Sequence, residues 1–232
     1  MSMLGKAALA MWWDIEASMR AEFEHWHSHE HFPERLGVPG FLRASRWRGE
    51  GEGFFVLYEI ESHQVLASAP YLVRLNAPTP WSTRLMPHHR HMVRAQCHVL
   101  ESHGAVLARH IWTARLSPAR DQEATLRSSL AVLIQSVAHE PGFSGAHLLR
   151  HQAPDIPTTT EQAIRGGDQE ADWVFLVSGY EDDALRRWVG HHMTPEALTA
   201  IGAREVTAAG HYVLSATAVP SEVDKAAASA HT

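Results

Sequence analysis

One short phrase occurs twice in this chain, and its recurrence limits the possible folds more than any other feature. Val38-Pro39-Gly40-Phe41 returns as Glu140-Pro141-Gly142-Phe143, an offset of 102 residues. A self-similar period of that size implies two structural units rather than a solenoid of short repeats. Each copy follows a segment of helical periodicity and opens a run suited to a strand. Downstream, Phe54-Phe55-Val56-Leu57-Tyr58-Glu59 corresponds to Trp173-Val174-Phe175-Leu176-Val177-Ser178, both rich in aromatic and β-branched residues that fit a pleated surface. The interval is longer in the second half because Gln152–Ala171 carries Pro154, Pro157, three threonines and Gly166-Gly167, the composition of an exposed loop insert.

The pattern predicts strand 7–15, helix 18–32, strands 40–48 and 53–60, helix 63–75 broken at Pro70, and strand 91–101. The second half predicts strand 105–116, helix 118–139, strands 142–151 and 172–180, helices 182–191 and 195–201, and strand 205–218. Ser117-Pro118 and Thr194-Pro195 read as helix starts, a capping hydroxyl before a first-turn proline. Each half is then βαββαβ, a ferredoxin-like unit with helices on one sheet face only. The bare face needs cover, and the second copy supplies it. The expected fold class is α+β, with two such repeats packing their antiparallel sheets face to face into one barrel. The repeats are 1–103 and 104–220, the latter with the 152–171 insert, followed by a tail at 221–232.

At 232 residues with 45% hydrophobic and 20% charged side chains, the chain can bury a proper core. A net charge of −6 without a basic block argues against nucleic acid. No apolar run approaches the length of a membrane span, and Asp14 and Glu16 directly after Leu4–Trp13 make that segment a strand rather than a signal peptide. The single cysteine, Cys97, suits a reducing cytoplasm.

Phe23, Trp26-His27, His31-Phe32-Pro33-Glu34-Arg35-Leu36 and Val38-Pro39-Gly40-Phe41 together resemble the EthD-like branch of the dimeric α+β barrel superfamily. The second half keeps Pro141-Gly142-Phe143 without the Trp-His and His-x-Pro-Glu residues. The resemblance implies an internal pseudo-dimer, working as a monomer, in place of the usual homodimer. It also implies a small enzyme without an organic cofactor, of the monooxygenase, isomerase or cyclase kind, acting on an apolar or aromatic molecule. The alternative is a non-catalytic or stress-associated binder of a small hydrophobic molecule or of haem.

Histidine occurs 18 times, and four copies alternate in His25-Trp26-His27-Ser28-His29-Glu30-His31. At 100° per residue Met19, Phe23 and Trp26 define the apolar stripe, Glu30 falls within it, and His27 and His31 flank it. His25 and His29 point to solvent. His27 and His31 become candidate general bases with Glu30 as their partner, because imidazole exchanges protons near neutral pH and a carboxylate fixes its tautomer. The bland alternative is a hydrogen-bonded Glu30–His31 pair at a helix end. Trp26, on the stripe, and Trp81, on the stiff Pro78-Thr79-Pro80-Trp81 turn, are candidate ligand contacts. The equivalent helix of the second half carries Leu126, Leu130, Leu133, Ile134 and Val137, which reads as core. His27-x-x-Glu30-His31 also matches an inverted zinc-protease pattern, but Pro33 ends the expected helix and no third ligand appears, so no metal site is expected. His88-His89-Arg90-His91 reads as an exposed polar loop.

Overall fold

The computed structural model describes residues 3–223, so most of the expected tail 221–232 lies outside the described residues. In chain order the elements are β1 (Ala7–Asp14), α1 (Arg20–Trp26), a wide turn (His27–His31), α2 (Phe32–Leu36), β2 (Phe41–Gly49), β3 (Gly53–Ile60), α3 (Ala69–Asn76), α4 (Pro80–Leu85) and β4 (Arg90–Gly104). They continue with β5 (His110–Pro118), α5 (Glu123–Val137), β6 (Phe143–His151), α6 (Thr160–Ile164), β7 (Trp173–Gly179), α7 (Asp182–His192), α8 (Pro195–Ala200) and β8 (Ala203–Ala218). The class is α+β, and strand hydrogen bonding runs β1-β3-β2-β8-β5-β7-β6-β4 as a closed barrel.

The chain divides into two compact units, both discontinuous. One comprises 4–98, 152–170 and 215–232. In it β1 lies between β3 and the start of β4, and β2 pairs with β3, all antiparallel. The other comprises 1–3, 99–151 and 171–214. There β5 lies between β7 and β8, and β6 pairs with β7, again all antiparallel. Each sheet thus has its own fourth, first, third and second strands in that order.

The repeated phrase makes the same turn in both units. Gly40 and Gly142 adopt φ of 92° and 98°, conformations that L side chains resist. Their carbonyls accept equivalent hydrogen bonds, from Glu61 N–H at 2.8 Å and Tyr180 N–H at 2.9 Å. A register shift follows each phenylalanine, between Phe41 and Arg43 and between Phe143 and Gly145. Each turn is therefore locked between the entering strand and the end of its neighbour.

The helices cover one face of each sheet. Phe23 and Trp26 of α1 pack with Leu9, Met11, Phe54 and Tyr58 in one core. Leu126, Leu130, Ile134 and Val137 of α5 pack with Trp112, Leu148 and Phe175 in the other, with Leu133 partly buried at its edge.

Several local expectations shift. Helix continues through Pro33 to Leu36 instead of stopping at 32. Pro70 lies in the first turn of α3, where its missing N–H is harmless, so it starts a helix rather than breaking one. Ser117 and Pro118 remain in β5, and α5 starts at Glu123 without a side-chain cap. The Thr194 cap does form, accepting from Ala197 N–H. The 152–170 insert contains α6, and Glu161 within it is buried.

Steric room at the turns yields a test. A Cβ at Gly142 would lie 2.8 Å from the Ala184 Cβ, whereas one at Gly51 (φ 67°) meets nothing within 4 Å. Gly142→Ala is expected to cost about 2–4 kcal/mol, conformational strain plus overlap, against about 1 kcal/mol for Gly51→Ala. At about 2–4 °C per kcal/mol, thermal melts of the two variants separate them clearly. Equal melting temperatures would remove the claim that the turn is locked.

Candidate functional site

Proline inside a helix removes one N–H and collides with the carbonyl four residues earlier, here that of His29. The chain meets this by opening one wide turn at His27–His31, where the Phe32 N–H bonds to the His27 carbonyl, a span of five residues. Single wide turns of this kind are frequent at functional sites. The turn buries His27 and His31 together, their ring centroids 5.4 Å apart, and carries Glu34 and Arg35 inward in the next turn.

Glu30 does not join them. Its Oε1 accepts from Trp26 Nε1 at 2.9 Å, Thr79 Oγ1 at 2.5 Å and Ser82 Oγ at 3.2 Å, which ties α1 to the start of α4. Trp81 also stands outside, its Nε1 donating to Glu22 Oε1 at 3.2 Å and its ring 5.4 Å from that of His25. The carboxylate beside the imidazoles is Glu34, 3.6 Å from His31 Nδ1 and 3.3 Å from Arg35 Nη1. A uniform 100° projection through residue 30 misplaces everything after residue 27, because the wide turn advances less per residue.

Trp26, His27 and His31 line a cavity of about 30 Å³, together with groups from β1, β3, α3, β4 and the insert. Its polar wall includes Tyr58, His89, Arg35, Arg94, Glu161 and Arg165, and its apolar wall includes Leu9, Met11, Trp13 and Leu75. Several buried polar atoms there have no hydrogen-bond partner among the described residues: both ring nitrogens of His27, the Tyr58 hydroxyl and Trp13 Nε1. Such atoms cost about 1–3 kcal/mol each when left unpaired, so their convergence on one cavity makes it the candidate site.

Electrostatics sets the protonation states. Burial, reinforced by the Arg46 charge, holds His27 well below the ordinary histidine range. Burial pushes His89 down to about 3, with Arg165 adding to the effect, while its Nδ1 lies 3.1 Å from the Met86 carbonyl. Burial drives the Tyr58 phenol upward, so it stays a hydroxyl. Burial alone would depress Arg35, but the Glu161 and Glu34 carboxylates outweigh it and hold the guanidinium charged. Arg35 Nη2 donates to Glu161, and Arg165 pairs with Asp168 at 2.7 Å.

His89 corrects the reading of residues 88–91 as an exposed loop. It is 8% exposed and packs against Trp13 and Phe23, because the tight turn after α4 sends it inward while His91 stays outside. Glu161 and Arg165 likewise correct the reading of the insert as wholly exposed. Their side chains are 3% and 8% exposed. Among the described residues no group of three His, Cys, Asp or Glu side chains is arranged to hold a metal ion.

His89 supplies a pH test. The folded state binds its proton only near pH 3, whereas an exposed histidine binds one near 6.5, so stability is complete above about 6.5 and falls as the pH drops below it. His147, buried in the other unit and also pushed to about 3, contributes in the same direction. Melting temperature is expected to fall steeply from pH 7 to 4, and His89→Phe is expected to flatten part of that slope. An unchanged slope in the variant would show that His89 is not buried as a neutral ring.

No family model matches the chain, and no curated protein matches its sequence. Solved structures do match over both units. An anthrone oxidase-like protein is 11% identical over 96% of this chain and 97% of its own, with a TM-score of 0.61. A provisionally named monooxygenase from Fusobacterium nucleatum is 8% identical over 94% and 96%, at 0.58. A provisionally named chlorite dismutase is 10% identical over 91% and 96%, at 0.52. No described helix is long and apolar enough to cross a membrane. The identities are low and the coverage nearly complete, so what the comparisons establish is the fold alone.

Proposed function

We propose that the cavity beneath the wide turn is a small-molecule site and that His27 acts there as a general base on an apolar or aromatic carbon or oxygen acid. The observation that carries this reading is the state of His27. It is 1% exposed, held neutral by burial, and without a hydrogen-bond partner at either ring nitrogen among the described residues. A base must be unprotonated at working pH and have a lone pair open to the substrate; burial supplies the first, and the proton affinity that burial removes is restored by negative charge developing on the substrate beside the ring. The Tyr58 hydroxyl and Trp13 Nε1–H are donors with no other partner, suited to an oxygen that gains negative charge as the proton leaves. His31, next to Glu34, can take the proton onward. Trp26 contributes a wall, and Glu30 and Trp81 act from outside by holding α1 against its surroundings.

Proton removal is the first step common to cofactor-independent oxygenation and isomerisation, so the site chemistry fits either. The structural likeness to an anthrone oxidase-like protein makes anthrone a sensible probe. We take the protein to work as a single chain in the reducing cytoplasm.

Haem binding comes second. The open His27 nitrogens suit an axial ligand, but at about 30 Å³ the cavity lies below the roughly 300–1,000 Å³ of sites for larger ligands, so any aromatic substrate requires its wall to open and a macrocycle demands a far wider opening than one anthrone.

Exchange of the acidic anthrone protons into deuterated water, followed by NMR, reads the proton step without requiring turnover. The protein is expected to accelerate exchange, and His27→Gln to lose about 10²–10⁴ of the acceleration. Glu30→Gln is expected to keep most of it. Equal rates for the parent and His27→Gln would eliminate the assignment.

A further inference from the structure

The cavity holds about 30 Å³, room for two waters or a small anion rather than an aromatic ring. Two of its polar walls, Glu161 and Arg165, come from the insert, which is tied at both ends to β4. Gln152 N–H donates to the Gln96 carbonyl at 2.8 Å, and Gln169 exchanges hydrogen bonds with Met92 and Arg94 at 3.0 and 2.8 Å. Between these anchors the fastenings are the Arg35–Glu161 pair, the Asn76 Oδ1 that accepts from Thr160 N–H at 3.1 Å, and the packing of Ile164 on the core. Gly166 and Gly167 follow, both at positive φ with open space around them.

Charge completes the picture. Glu161, Arg165 and Asp168 give the insert one net negative charge at the cavity. Arg35 and Arg94 against Glu34 leave one net positive charge behind. Arg94 lines the cavity and has only the Tyr71 hydroxyl, 3.0 Å from Nη2, as a side-chain partner among the described residues. A guanidinium edge free of carboxylate is suited to bidentate capture of one.

We infer that residues 152–170 form a strap whose Glu161 occupies the place of an organic anion, so that the cavity's ligand is a small apolar molecule carrying one carboxylate or phenolate. The ligand's charge replaces that of Glu161 on Arg35, with Arg94 beside it, as the strap lifts and its ends stay paired to β4. This deepens the proposed function and rests on the cavity being a ligand site, but it needs no catalytic step.

Benzoate and its neutral isostere benzamide, titrated calorimetrically into the full chain, provide the test, with hydrogen exchange at the Ala163 and Arg165 amides reporting the strap. Glu161→Gln is expected to speed that exchange and tighten benzoate binding by about tenfold or more, with no gain for benzamide. Asn76→Ala, which leaves the cavity wall intact, moves both readings the same way by about fivefold. Arg94→Gln weakens benzoate by about tenfold or more. Unaltered protection of Val56 and Tyr58 in β3 certifies the fold of each variant. Benzoate affinity unchanged in both strap variants, or an equal gain for benzamide, overturns the inference. Loss of anthrone exchange with these binding results intact removes the general-base reading alone.

Discussion

Everything distinctive about the site follows from where Pro33 lies. Inside a regular helix its ring would strike the His29 carbonyl, and ending the helix there would leave Glu34, Arg35 and Leu36 in a loop. The wide turn at His27–His31 avoids both outcomes. It keeps Pro33 helical and continues to Leu36. Two imidazoles, a carboxylate and a guanidinium thereby share one interior, a grouping that regular helical spacing through the same residues would disperse.

That interior mixes two kinds of polar group. Arg35 and Arg165 are buried and answered by carboxylates from α2 and the insert, an arrangement that offsets a desolvation cost of several kcal/mol per ion. His27, Tyr58 and Trp13 are buried and unanswered. The charged set fastens the insert to α2, and the neutral set is the one the proposed proton transfer would use. The corresponding helix in the other unit shows what the fold needs for stability alone. It carries Leu126, Leu130, Ile134 and Val137 on its buried face, with no ionisable side chain.

The architecture was legible because its signals are local. Pro-Gly-Phe twice, with a strand run downstream of each copy, specifies two equivalent turns, and both glycines adopt positive φ. The burial of Trp26 was legible from its place on the apolar stripe, whereas His27 and His31, read as flanking it, are buried as well. Glu30 was misdirected because pitch is not written in residue types, and a proline reads more readily as a stop. His89, Glu161 and Arg165 were hidden for a different reason. Their burial comes from tertiary contacts over more than about 60 residues, and a polar residue in a polar segment gives no periodic sign of facing inward. Glu34 was already present in the quoted motif, and its inward course became visible only once the helix was seen to run past Pro33.

The Glu30 brace has a consequence for variation at that position. One oxygen receives three donors, from an indole and two hydroxyls, so what the neighbours require is an acceptor at that reach. Glutamine preserves the acceptor and the chain length, whereas aspartate preserves the charge and falls a methylene short. Natural diversity at this site is thus predicted to be filtered by side-chain length more than by ionisation, a pattern opposite to that of an acid engaged in proton transfer.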